Sequence, residues 1–130
     1  MKNLTLVLAA TFLLTAVVVG QDKKAEDRHA RILQLAEQNL KLTLTKGNDD
    51  LKESAMAAVA DLRREYPAQQ FTTTAIPLMR ILRTHEESGM RILAAMTLKE
   101  IGDERGSFAI YEASKFDNNQ TVRHICSSLK

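Results

Sequence analysis

From residue 21 onward, apolar residues recur every three or four positions, and no stretch alternates apolar and polar residues long enough to make a half-buried strand. Asn-Gly and Asp-Gly hairpin signals are also missing. Leu33, Ala36, Leu40 and Leu44 mark one stripe, which predicts a helix from about Lys24 to Leu44 with Gly47 as its stop. The stretch "GNDD" then turns the chain, with Asn48 or Asp49 as N-cap of a second helix ending near Glu65. After the loop "EYPAQQFT", Thr74 is placed to cap a helix using Ile76, Met79 and Leu82. Pro77 then falls in its first turn, where no intrahelical donor is lost. A further helix is expected to start near Ser107 and to use Phe108, Tyr111 and Phe116.

One apolar rhythm is written three times. With Leu51, Met90 and Val122 as position zero, small or apolar residues follow at the same helical offsets. They are Ser54, Ala55, Ala58, Val59 and Leu62 in the first copy, and Leu93, Ala94, Thr97, Leu98 and Ile101 in the second. Ile125, Cys126 and Leu129 begin the third. A basic residue follows position zero each time, as Lys52, Arg91 and Arg123, and cap-type residues precede each copy in "NDD", "EESG" and "DNN". The copies start 39 residues apart (51 to 90) and then 32 apart (90 to 122), the difference fitting the loop between Glu65 and Thr72. Such a period predicts helix–turn–helix repeats.

The stretch "MRILAAMTLKEIGDERGSFAIYEASKFDNNQTVRHI" resembles a HEAT-like repeat, of the type also found in the phycobilin-lyase superfamily. The features that carry the resemblance are Met90-Arg91, Ala94-Ala95, Ile101-Gly102-Asp103 and Asp117-Asn118-Asn119, with a next unit starting at Val122-Arg123. "AIPLMRIL" is similar to the second helix of such a unit. The first unit departs from the pattern: Lys52 stands for Arg, and a longer loop replaces the Ile-Gly-Asp turn. The resemblance implies an all-α fold, a short right-handed α-α superhelix (an α-solenoid) of about six helices. Residues 21–47 would form an N-terminal capping helix and residues 48–130 about two and a half repeat units.

The first twenty residues have another character. Lys2 is followed by the apolar run Leu4–Val19 and then by Gly20 and a charged stretch, the layout of a secretory signal peptide cleaved after Gly20. A retained membrane anchor is the rival reading, weakened by Thr5, Thr11 and Thr15 and by the absence of a following positive cluster. Export places the protein in a secreted or periplasmic compartment, with no membrane association after cleavage.

Charge narrows the choice of partner. Of 18 basic residues, removing Lys2 leaves 17 against 16 acidic ones, so the remaining chain is close to neutral and its charges are interspersed. Nucleic acid is therefore not expected as a partner, and Tyr66 and Tyr111 are too scattered to form a stacking platform. His29, His85 and His124 lack two-His metal spacing, and no phosphate loop or nucleophile elbow occurs. No catalytic, cofactor-binding or metal-ligating residue is thus predicted, and no cofactor. His85-Glu86-Glu87 reads as a solvated turn. Cys126 falls in register with Ala55 and Ala94, which favours packing over a reactive thiol. The series Lys52, Arg91 and Arg123 reads as inter-repeat pairing with acids such as Asp103 or Asp61, rather than as an anion-binding ladder. Met56, Met79, Met90 and Met96 fall mostly on the apolar stripes.

The expected function is non-catalytic binding of an as yet unknown protein partner by an exported scaffold or adaptor, since repeat arrays expose an extended shaped face. The alternatives are an accessory subunit of an envelope enzyme or assembly, or a cofactor-handling lyase-like protein. Met79, Arg80, Arg83, Tyr111 and Lys115 form the candidate partner-binding face. "RHICSSLK" turns Arg123, Ser127, Ser128 and Lys130 outward as a polar lid, which predicts a monomer. If the leader is cleaved as read, the intact mass of protein from the native host should correspond to a chain starting at Gln21. A full-length mass in a membrane fraction would establish the anchor instead.

Overall fold

A computed structural model describes the backbone of residues 2–130 and the side chains of residues 20–130. Its helices are α1 (Lys2–Lys46), α2 (Asp49–Glu65), α3 (Ala75–Thr84), α4 (Ser88–Ile101), α5 (Glu104–Phe116) and α6 (Gln120–Ser128), with a 3-10 turn at Thr72–Thr74. No strand occurs among the described residues, so the expected all-α class is the class observed. The leader expected over residues 1–20 lies, apart from Gly20, outside the residues with described side chains. Among the described residues, no helix is long and apolar enough to cross a membrane.

Two compact units divide the chain, residues 1–35 and residues 36–130. In the first, every described side chain except Leu33 is exposed. The second holds the core. Leu44 is buried there and Leu40 packs partly against it, so the stripe read along α1 faces inward over this stretch.

Within residues 36–130, α4 lies against both α2 and α6, and α3 lies against α5. The two rows meet where α3 and α5 contact α4 and where α5 contacts α6. The repeated register explains this pairing. At offset four Ala55, Ala94 and Cys126 are all buried, and at offset eight Val59 and Leu98 are fully buried. Small residues let the helices of the first row approach, and the larger ones at offset eight fill the space between rows. Each fully buried Leu or Met here, such as Met56, Leu82 or Leu98, contributes about 1.5–3 kcal/mol. Position zero is less regular: Met90 and Val122 are buried, whereas Leu51 is half exposed in the first turn of α2.

Caps fix where each helix begins. Asn48 accepts from Leu51 N at 2.9 Å, settling the choice between Asn48 and Asp49. Asn119 does the same for α6, accepting from Thr121 N and Val122 N. Thr74 does not cap α3 as expected. It is buried, and its hydroxyl donates to Phe71 O at 2.6 Å. Glu37 of α1 holds the 3-10 turn and the loop ahead of α3 instead: its Oε1 accepts from Thr73 N at 3.0 Å and Thr73 Oγ1 at 2.7 Å, while Oε2 accepts from Gln69 Nε2 at 2.8 Å. Phe71, just ahead, turns the chain with φ 53° and ψ 29°, a left-handed conformation, with its ring wholly buried.

The second row is rotated relative to expectation. α3 buries Ala75, Pro77, Leu78, Ile81 and Leu82, leaving Ile76 exposed and Met79 half-buried. α5 begins at Glu104, capped by Asp103, three residues before Ser107. Gly106, Ala109 and Ile110 consequently turn inward, while Phe108, Tyr111 and Phe116 are 59%, 48% and 82% exposed. Close approach decides this phase, because a Cβ on Gly106 would stand 2.9 Å from Leu98 Cδ2. Gly102, with φ 71°, ends α4 in the left-handed C-cap conformation and lets the chain reverse in a single residue before Asp103.

The buried offset-four positions carry a direct expectation. Ala94→Leu should overpack the first row and cost about 1–3 kcal/mol in thermal unfolding. Cys126→Ala, which only trims a small side chain, should cost less than about 1.5 kcal/mol. Equal melting temperatures for Ala94→Leu and the parent chain would refute the packing assigned to this position.

Candidate functional site

Of the three basic residues in the repeat register, Arg91 is the most deeply committed. Its Nε and Nη2 grip Asp117 Oδ2 and Oδ1, both at 2.9 Å, in a side-on fork. Nη1 donates to the main-chain carbonyls of His85 (2.8 Å) and Glu86 (2.9 Å), and Nη2 also reaches Asn118 Oδ1 at 3.0 Å. All five guanidinium protons are therefore engaged. The two side chains are only 8% and 7% exposed. Arg123 joins from α6, donating to the Asp117 carbonyl at 2.6 Å.

The expected pairing of this series is thus right in kind but wrong in partner. Asp103 is taken up by Arg105, through Oδ1 from its N and Nε and through Oδ2 from its Nη2, and Asp61 pairs with Arg64 at 3.1 Å. Both acids spend themselves on neighbours in sequence. Asp117, read from sequence only as part of a turn, is the acid that Arg91 meets. Lys52 lies apart from this cluster, on a small cleft of about 80 Å³ that Arg80, His85 and Thr84 also line.

The candidate partner face divides along the second row. Met79, Arg80 and Arg83 lie on α3, Tyr111 and Lys115 on α5, and these two helices pack side by side. Arg83 Nη2 crosses to Glu112 Oε2 at 2.7 Å. Tyr111 carries two ammonium groups over its ring, Lys115 Nζ at 5.9 Å and Lys130 Nζ at 5.2 Å from the centroid. Met79 is half-buried and the other four residues are exposed. A cavity of about 240 Å³ lies between the helices, bordered by Leu82, Arg83, Ala109, Glu112 and Phe116. Ile76 and Phe108, which sequence reasoning assigned to the core, enlarge the exposed apolar surface of these helices.

His85 is more than a solvated turn residue. It is half-buried, its Nδ1 accepts from Glu87 N at 3.1 Å, and its Nε2 therefore carries the proton directed at Asp49 Oδ1, 2.9 Å away. This bond, with the nearby charge of Lys52, holds the Asp49 carboxyl below its usual range. Cys126 is wholly buried. Burial, reinforced by the charge of Asp117, pushes its thiol up, as the expected packing position would. Glu37, buried and triply bonded, was missed by sequence reasoning. Its signal was its place four residues after Leu33, on the inward stripe of α1.

Burial alone would push the Asp117 carboxyl up, but the Arg91 fork, the Asn119 N–H and the charges of Arg91 and Arg123 outweigh it, and the net shift is downward. A carboxyl whose folded value lies below its unfolded one stabilises the fold above about pH 4 and loses that contribution as pH falls through the folded value. Asp117→Asn should cost about 3–5 kcal/mol at pH 7, because Arg91 is left buried and unpaired. It should also flatten the acid limb of the stability–pH curve measured by denaturant unfolding. An acid limb identical to that of the parent would show that another carboxyl governs it.

Comparison with family models, with curated proteins and with solved structures gives no match for this chain.

Proposed function

We propose that the chain is a non-catalytic, exported scaffold built as a short right-handed solenoid of HEAT-like units, which binds a protein partner on the outer face of α3 and α5. The observation that carries this reading is the uneven treatment of these two helices. Their inner faces are closed by Leu78, Leu82, Ala109 and Ile110, while Ile76, Phe108 and Tyr111 stand about half exposed on the outside. Apolar side chains exposed among basic ones on neighbouring helices suit a partner that brings both apolar and acidic groups. The succession of α2, α4 and α6 as neighbours, with α3 beside α5, supports a repeat array. Ser127, Ser128 and Lys130 are exposed and support a monomer, whereas Arg123, expected outward with them, is half-buried on the Asp117 carbonyl.

Charge reversal tests the face with little disturbance to the fold. Arg83 and Glu112 form an exposed pair, worth at most about 1 kcal/mol. The chain carrying Arg80→Glu and Arg83→Glu should therefore melt near the parent. In affinity capture from the native host, read by mass spectrometry, it should retain less than about a tenth of the partner that the parent retains, a loss of about 1.4 kcal/mol or more. Undiminished capture would remove this face from consideration.

A further inference from the structure

An amide whose carbonyl is committed to the fold can still carry a substituent on its nitrogen, and Asn119 is in that position. Its Oδ1 caps α6, accepting from Thr121 N at 2.9 Å and Val122 N at 3.2 Å. Its main-chain N–H donates to Asp117 Oδ1 at 2.9 Å. Its Nδ2 donates to no group among the described residues. That nitrogen is not sealed in either. Among the described residues that are not exposed, Arg63 Nε is the one side-chain N or O atom both buried and without a partner. Asn119, half-buried as a residue, thus holds the turn with one end of its amide and shows the other to solvent.

Asn119-Gln120-Thr121 is also a sequence that accepts an N-linked sugar: an asparagine, any residue but proline, then a serine or threonine. Asn3-Leu4-Thr5 is the other match in the chain, within the expected leader and outside the residues with described side chains. Asn118 provides an internal contrast. It lies in the same turn and is more exposed, but Gln120 stands two residues after it in place of a hydroxyl residue. We propose that Asn119 is a glycosylation site of the exported chain, an inference that rests on export as read above. The reaction joins Nδ2 to C1 of the first sugar of a polyprenyl-diphosphate-linked oligosaccharide. The bond from C1 to the diphosphate oxygen breaks, the polyprenyl diphosphate leaves with the electron pair, and one Nδ2 proton passes to solvent. Nothing is oxidised or reduced. The product is still an amide with an accepting carbonyl oxygen, so the cap on α6 survives the modification. The turn also suits what it would carry. Phe116, close by in sequence, is 82% exposed, more than any other large apolar side chain described, and a bulky, solubilising sugar beside it screens that surface.

The test is peptide mapping of the chain purified from its native host. Trypsin, cutting after Lys115 and Arg123, releases Phe116–Arg123 as one peptide. Tandem mass spectrometry of that peptide reads both the sugar mass and the asparagine that bears it. The expected result is sugar on Asn119 and none on Asn118, in a chain whose first residue is Gln21. Thr121→Ala should abolish the modification and Thr121→Ser should keep it. Thr121 is exposed and gives the cap only its main-chain N–H, so both variants leave the cap in place, and circular dichroism confirms that each has folded. A chain starting at Gln21 with a bare Asn119 overturns the proposal and leaves export standing. A bare chain that still carries residues 1–20 overturns both. Sugar on Asn118, or on Asn119 of the Thr121→Ala variant, overturns the assignment to this motif.

Discussion

The fork between Arg91 and Asp117 is the interaction on which the packing of α4 to α6 depends. One guanidinium holds the turn before α4 through two carbonyls and the turn before α6 through a carboxylate and an amide oxygen. Two successive inter-helix turns are thereby pinned to one planar group, and the helices that leave those turns inherit their directions. Burying this pair carries a desolvation cost that its mutual attraction offsets only because every proton and both oxygens are used. Its value therefore lies in geometry more than in net stability. A hydrophobic pair of equal size could hold the turns together, but it would not fix their orientation.

Helix packing then follows from residue size. Ala55, Ala94 and Cys126 bring the first-row helices close, and Gly106 does the same between α4 and α5. The aromatic residues of α5 are displaced outward as a result, and the surface on which a partner is proposed to bind is in this sense a by-product of close packing. Gly106, Ala109 and Ile110 occupy the inward side, and Phe108 and Tyr111 stand outside. They became available for recognition once α4 and α5 had approached so near.

Much of this was legible before any coordinates. The first-row register could be counted because its small and large residues alternate at fixed offsets, and Asn48, Gly102 and Asn119 announce their turns by their chemistry. Two things were not legible. The phase of α5 turned on a single missing Cβ at Gly106, which a count of apolar residues cannot register, since it favours the large rings. The partners of charged residues were equally hidden. Asp103 and Asp61 were the acids expected to pair with the series, yet local basic residues claim them first. Glu37 shows the opposite failure: an acid on an inward stripe looks like noise until the loop it caps is seen. Of the candidate face, sequence placed the basic residues and Tyr111, while Ile76 and Phe108 were added by the structure.

Phe71 is a position where two local demands contradict each other. Its backbone adopts a left-handed conformation that a glycine or asparagine would accept readily, at a cost to a bulky residue of about 1–2 kcal/mol. Its ring, however, is the largest fully buried side chain of the core, and removing such a ring typically costs about 3–5 kcal/mol. The side chain wins, and the strain is retained as a fixed local frustration. The tolerance of this site is therefore narrow from both directions. A residue that relaxes the backbone empties the core, and a β-branched residue that partly fills the core aggravates the backbone. Constraint in the long loop before α3 is thus concentrated at this one ring and at Gln69 and Thr73, which Glu37 holds beside it.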